Sequence, residues 1–231
     1  MGNPKQVIEK AHKYGAKVFC DITNTEHAKK ANELGCDGFI AVGQGAGGHA
    51  GPYPLQVLVP SLKKKFPDTP VVAAGGIAGG AGVLSALAAG ASGVSIGTRF
   101  IASEEAQVSQ AYKKAVVDSD MSDIVMTTKI SGTPCTIINT AEAKRIGYEQ
   151  NFVERFLSKN KKTKKWFKML VQLRGLNWLE KSVGSGNYNS LWCAGQSVEL
   201  IEDIQSCEKI IEFIKSDTLK IYEELKKEFK E

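Results

Sequence analysis

His49 lies in the segment Gly43-Gln-Gly-Ala-Gly-Gly-His-Ala-Gly51, where five glycines accompany a side chain able to exchange a proton near neutral pH. Two readings follow: a histidine that moves a proton on a substrate, or one that only hydrogen-bonds its own loop. No Asp or Glu occurs between Gly38 and Pro67, so any carboxylate partner must come from elsewhere in the chain. No second His or Cys is spaced to complete a metal site with it, and no metal is expected. A different chemistry is suggested by Gly75-Gly76 and Gly97-Thr98, each of which ends a short apolar run. Glycines let backbone N–H groups approach a ligand closely, and a helix N-terminus beyond each loop favours an anion, so the pair taken together suits a phosphate. Tight turns with no ligand are the plain alternative.

The first loop also satisfies G-x-G-x-x-G, at Gly43, Gly45 and Gly48, with Asp68 about 20 residues further on. A dinucleotide-binding turn must open a helix whose N-terminus receives the pyrophosphate. Here His49, Gly51, Pro52 and Pro54 follow directly, and Asp68 precedes its strand instead of following one, so the context argues against such a site. The run Lys159 to Arg174 holds seven basic residues and no acid, with Trp166 and Phe167 interleaved. It reads first as a solvated helix face, with a nucleic-acid backbone or an anionic membrane as the alternatives; neither partner is expected.

The elements that position these residues alternate. Asn3-Pro4 is a helix start and Gly15 a stop; Lys17 to Ile22 reads as a strand, and Thr25 opens a helix that ends at Gly35. Gly38 to Val42 is a strand, Leu55 to Phe66 a helix, Pro70 to Ala74 a strand, the stretch from Gly82 to Ala89 a helix and Gly93 to Ile96 a strand. His12 and His27 fall on predicted surface helices, where solvated side chains are the default. Thr69 to Thr98 carries no Asp, Glu, Lys or Arg and is long enough to span a bilayer, but its eight glycines divide it into strand, turn, helix and strand, the pattern of a buried parallel unit. Four strands alternating with helices specify a parallel sheet with right-handed crossovers, and suit a doubly wound sheet or half of a (β/α)8 barrel. Beyond Phe100 the pattern changes: Glu104 to Val117 reads as a helix, Ile124 to Ile130 as a strand, Gly184 to Asn189 as a loop, and Ser197 to Phe229 as helical with a break near Asp217. The elements alone therefore give an α/β core over about the first 100 residues, with the rest of the chain as a helical appendage packed on it.

Composition narrows the class. With 231 residues, 42% hydrophobic and 24% charged, overall disorder is excluded, and a net charge of +5 favours solubility without implying a nucleic-acid partner. The cysteines, Cys20, Cys36, Cys135, Cys193 and Cys207, are odd in number and widely spaced with no Cys-x-x-Cys, so neither a disulfide framework nor a zinc knuckle is indicated. A reducing cytoplasm is the expected compartment, and Met1 to Lys13 has no apolar core of signal-peptide length.

Taken in order, Ala46-Gly-Gly-His-Ala-Gly51, Val71-Val-Ala-Ala-Gly-Gly-Ile77, Gly90-Ala-Ser-Gly-Val94 and Gly97-Thr-Arg-Phe100 resemble the nitronate monooxygenase family, formerly called 2-nitropropane dioxygenases, which are FMN-dependent (β/α)8 barrels. Ala194-Gly-Gln-Ser197 resembles the family's C-terminal segment, and the likeness covers most of residues 1–147 and returns near 192–205. The resemblance implies that His49 is the catalytic histidine, that Gly47 contacts the flavin, that Gly75 and Gly76 contact its phosphate, and that Ser95 to Thr98, including Gly97, form the second phosphate strand end. It implies FMN as cofactor, with a nitronate or nitroalkane and oxygen as substrates. The FMN-dependent enoyl-acyl-carrier-protein reductases share the same motifs, and enoyl reduction is the alternative activity.

Two departures stand out. Where the family has Glu ahead of Ala-Gly-Gly-His and Gln near the end of that strand, this chain has Gly45 and Val42, with Gln44 available as a shifted substitute. Met1-Gly-Asn-Pro4 resembles the end of the family's fourth strand, so the first four strands and the N-terminal flavin loop are expected to be absent, and the resemblance implies residues 1–118 as the second half of an FMN-binding (β/α)8 barrel and residues 119–231 as a mainly helical appendage packed on it. A third expectation follows: a catalytically silent half-barrel, or one completed by a second copy or another polypeptide, because four strands leave two open edges.

Overall fold

Short apolar strands rich in Val, Ile and Ala, each followed by a glycine or a capped helix, build the first part of the chain. The computed structural model describes residues 3–130, 132–150 and 191–229. Helix α1 (Lys5–His12) precedes β1 (Phe19–Ile22), α2 (Thr25–Glu33), β2 (Gly38–Val42), β3 (Gly48–His49), α3 (Leu55–Lys65), β4 (Val71–Ala74), α4 (Gly80–Ala88) and β5 (Gly93–Ser95). There follow α5 (Thr98–Ile101), α6 (Gln110–Asp118), β6 (Ile124–Thr127), β7 (Cys135–Ile138), α7 (Ala141–Ile146) and α8 (Cys207–Glu228). The chain divides into two compact units, one of residues 1–45, 51–96 and 212–231, the other of residues 46–50 and 97–211.

The first unit is α/β. Its four strands are all parallel in the order β1-β2-β4-β5, with Phe39 opposite Val71, Ala41 opposite Ala73 and Ala74 opposite Ser95. Phe39, Ala41, Val71 and Ala73 are completely buried on one sheet face, against Leu58, Val59 and Leu62 of α3 and Ala86 of α4. Phe39 meets the edge of the Phe66 ring at 5.3 Å between centroids. Ile40, Val42, Val72 and Ala74, which alternate onto the other face, are only half-buried. Asn24 caps α2 by accepting the His27 N–H at 2.8 Å, and Asp37 ties the strand ends opposite the loops together by accepting from the Val18 N–H, with Lys17 and His12 on the same carboxylate.

The second unit contains an antiparallel sheet of order β3-β7-β6, with β7 buried along its whole length. Its apolar cluster joins Ile130, Cys135, Ile137, Ala143 and Leu191. Trp192 is buried and stacks on the Tyr112 ring at 5.4 Å. No helix among the described residues is long and apolar enough to cross a membrane.

Several local expectations change. Helix α6 begins at Gln110, not Glu104, because the Glu104 N–H donates to Gln205 O and Ser109 supplies the cap for Tyr112 N. Strand β6 stops at Thr127, whose hydroxyl turns back to Tyr148 O. The break expected near Asp217 lies instead before Cys207: α8 runs through Asp217, whose carboxylate is used to accept the Gly80 N–H at 2.7 Å. His12 and His27 are not simply solvated, since His12 Nε2 sits 2.7 Å from Asp37 and His27 Nδ1 3.1 Å from Thr23 Oγ1. The basic run 159–174 and the loop 184–189 lie outside the described residues.

Candidate functional site

The residues singled out from the sequence divide between the units: Gly75, Gly76 and Ser95 belong to the first, Gly47, His49, Gly97 and Thr98 to the second. In the first unit, parallel pairing brings the carboxyl ends of β2, β4 and β5 to one edge of the sheet. Gly75 and Gly76 leave β4 with φ of 120° and 73°, a left-handed path that a side chain resists. The Gly76 N–H donates to Gly45 O at 3.0 Å, and a Cβ on Gly45 would stand 3.1 Å from the Gly76 backbone. The two glycine loops therefore meet backbone to backbone, and this contact positions Gly76 at the surface. Ser95, paired with Ala74, is exposed beside them. Next to Gly75 and Gly76 lies a cavity of about 60 Å³, lined also by Gln56, Ile77, Gly82 and Ser85. Its size suits waters or a small anion.

In the second unit, Gly48 takes φ 72° and β3 pairs antiparallel with β7, setting His49 opposite Cys135. No helix opens after the G-x-G-x-x-G run; the next helix starts at Leu55, which confirms that the dinucleotide geometry is missing. The imidazole of His49 is exposed. The Thr136 hydroxyl donates to Ala46 O and reaches Gly48 O at 3.3 Å, so β7 clamps the loop from its own side chain. A Cβ on Gly47 would lie 2.7 Å from Gly195 N, and the Gly195 N–H donates to Thr98 Oγ1 at 3.1 Å. Gly47 and Thr98 thus come together on Gly195. Gly97 is exposed and begins the turn into α5, whose first N–H groups have no partner within the helix.

Supporting residues that sequence reasoning did not single out cluster around α5 and β7. Arg99 is buried and donates to Asp203 O at 2.8 Å and Asp203 Oδ1 at 2.7 Å, which fixes the turn after Thr98. Buried Lys113 donates to Glu104 O at 2.9 Å, and the Tyr112 hydroxyl donates to Cys193 O. Burial, with the two nearby thiols, pushes the Tyr112 hydroxyl well above its ordinary range, so it remains a donor. Their only sequence signal was the segment Gly97-Thr-Arg-Phe100, which carries Arg99 without revealing its distant partner. Among the described residues no group of three or more His, Cys, Asp or Glu is placed to hold a metal.

Comparison with known proteins adds the lineage. The family model described as nitronate monooxygenase matches residues 1–217. The chain is 29% identical over 94% of its length to (3aS,4S,5R,7aS)-5-hydroxy-7a-methyl-1-oxo-octahydro-1H-indene-4-carboxyl-CoA dehydrogenase of Rhodococcus jostii, spanning 69% of that protein. It is 38% identical over 52% of its length to nitronate monooxygenase of Neurospora crassa, spanning 34% of that protein. Among solved structures it is similar to FabK from Thermotoga maritima, with a TM-score of 0.81 and 30% identity over 98% of this chain and 68% of that one.

Proposed function

From the membership of this chain in the nitronate monooxygenase family, we propose that it serves a flavin-dependent oxidation of alkyl nitronates by molecular oxygen. The observation that supports the cofactor is the edge at β4: exposed Gly76, left-handed and held through its N–H to Gly45 O, leaves the strand with no side chain of its own, and exposed Ser95 ends the neighbouring strand β5. Such an edge fits the phosphate of FMN. By the family resemblance, Gly75 and Gly76 are assigned to that phosphate, Ser95, Gly97 and Thr98 to its second strand end, and Gly47 to a flavin contact. When bound, FMN supplies the electron exchange between substrate and oxygen.

His49 is assigned to the substrate. Its imidazole takes the α-proton of a neutral nitroalkane, or donates a hydrogen bond to an oxygen of the nitronate anion. Thr136 holds the carbonyls on both sides of Gly47 and so fixes the path into His49. Replacing His49 with Asn in the flavin-loaded protein should slow turnover of neutral nitroalkane by roughly 10² to 10⁴, and turnover of preformed nitronate far less. Equal losses would show that His49 binds and does not abstract, and absence of flavin absorption bands after reconstitution with micromolar FMN would overturn the cofactor assignment.

A second reading, reduction of an enoyl thioester by NAD(P)H through the same flavin, draws on the likeness to FabK and to a carboxyl-CoA dehydrogenase. NAD(P)H oxidation dependent on an enoyl thioester, with no nitronate turnover, would select it. We also propose that β1, β2, β4 and β5 are half of a (β/α)8 barrel, which closes with about eight strands. Residues 1–118 would be that half and residues 119–231 the appendage, with further polypeptide or a second copy completing the ring. The half-buried face of Ile40, Val42, Val72 and Ala74 is the one that a barrel interior would cover. The cytoplasm is the proposed compartment, in keeping with five free thiols.

A further inference from the structure

Cys135 and Cys193 are 58 residues apart in sequence, yet their sulfurs are 3.9 Å apart. The fold explains the approach. Cys193 forms an isolated antiparallel bridge with Ile137, two residues along β7 from Cys135, so both side chains stand on one face of the strand as diagonal neighbours. The Ile138 N–H donates to Trp192 O at 2.8 Å, and the Tyr112 hydroxyl holds Cys193 O, so the 192–193 segment is fixed beside β7 before any covalent link exists. The two thiols differ. Cys135 is 1% exposed, while Cys193 is half-buried. The two sulfurs share a hydrogen bond in which either thiol can donate; that contact draws the Cys193 thiol below its ordinary value, while the same bond and burial push Cys135 up.

We propose that Cys135 and Cys193 are a peroxide-oxidised dithiol, whose reversible disulfide fastens the Trp192–Gly195 segment to β7 beside Gly48–His49. In the first step the Cys193 thiolate attacks one oxygen of hydrogen peroxide. The O–O bond breaks, hydroxide leaves and takes up a proton as water, and Cys193 becomes the sulfenic acid. In the second, Cys135 gives up its proton to the departing hydroxyl and its sulfur attacks Cys193, so that the S–O bond breaks and a second water leaves. Two thiols lose two electrons, and one peroxide is reduced to two waters. To form the bond the sulfurs must close from 3.9 Å to about 2.05 Å. The link would lie next to the His49 loop, since a Cβ on Gly48 would stand 4.0 Å from Cys193 Cβ and His49 is the register partner of Cys135. The proposal does not depend on flavin chemistry.

The molecule carries its own comparison. Cys36 in the first unit also interacts with another thiol, Cys20, but burial and Cys20 push it up to about 11, which leaves it a poor nucleophile at neutral pH. The full chain, fully reduced and then exposed to one equivalent of hydrogen peroxide, should lose the mass of two hydrogens and regain it with dithiothreitol. Alkylation and peptide mapping should find one cross-linked peptide joining Cys135 to Cys193, with Cys20, Cys36 and Cys207 alkylated. Cys135→Ser should stop the reaction at a Cys193 sulfenic acid that dimedone captures, and Cys193→Ser should abolish the cross-link. A map with all five thiols alkylated, or with the cross-link between Cys20 and Cys36 or between two chains, would overturn the assignment, and because that map uses the unaltered chain it does not depend on the variants folding.

Discussion

In the first unit, four parallel strands share one ladder and bury Phe39, Ala41, Val71 and Ala73 completely, and its main-chain groups find partners by regular register. In the second, distant segments are joined by single side chains bonding to backbone: Arg99 to Asp203, Thr98 to Gly195, Tyr112 to Cys193, Thr136 to Ala46 and Glu105 to Cys207. The contrast separates two ways of specifying a fold. Apolar periodicity places the first unit's elements, because any side chain of suitable size and polarity fits a buried strand position. Individual polar residues place the second unit's loops, because a donor satisfies a carbonyl only from one direction and distance.

The difference can be broken most forcefully at Phe39. Phe39→Ala removes a fully buried ring against Phe66 and α3, and should cost about 3 to 5 kcal/mol, read by denaturant unfolding, with the loss of hydrogen-exchange protection centred on β1, β2 and β4. Uniform loss across β6 and β7 as well would mean that the two units do not differ in what holds them. Arg99→Met tests the other side. It keeps apolar volume and removes the donors to Asp203, and because Asp203 is itself about half exposed and can be hydrated, the expected cost is roughly 2 kcal/mol. Protection should fall around α5 and residues 201–206, with the Phe39 core unaffected.

The smallest effect is a pH dependence in the first unit. Asp37 accepts from Val18 N–H, and then from His12 and Lys17, and these bonds hold its carboxyl well below the usual carboxylate range. A group depressed in the folded state stabilises above its unfolded value, near 3.9, and that contribution is lost as pH falls from there towards the folded value. Asp37→Asn should therefore lower Tm slightly at neutral pH and flatten its decline below about pH 4. An unchanged acid limb would show that this polar knot at the strand ends contributes nothing beyond the ladder.

The same contrast explains what was legible in the sequence. Strands β2 and β4 were readable because apolar Val, Ile, Phe and Ala fill both faces, and β1 and β5 because Phe19 with Ile22, and Val94, stand between glycine or capped turns. Strand β3 was not, since it is only Gly48 and His49 and its existence depends on Cys135 and Thr136 far along the chain. The end of the irregular stretch before α8 was misplaced because Asp217, a helix breaker by type, is used from mid-helix to cap Gly80. At the candidate site the residue types were readable and the supports were not: Gly76 declares itself as a turn, but its contact with Gly45, and the meeting of Gly47 and Thr98 on Gly195, arise only when the loops are folded.

The bond between Gly80 and Asp217 has a consequence for synthesis. A ribosome completes α4 long before it reaches codon 217, yet the first turn of that helix receives its acceptor from a residue 137 positions later. A Cβ on Gly80 would lie 2.3 Å from Thr218 N, so this contact is also too close for any other residue. The nascent first unit must therefore wait with the start of α4 uncovered until α8 has been synthesised, and a chain released before α8 emerges lacks the piece that closes it.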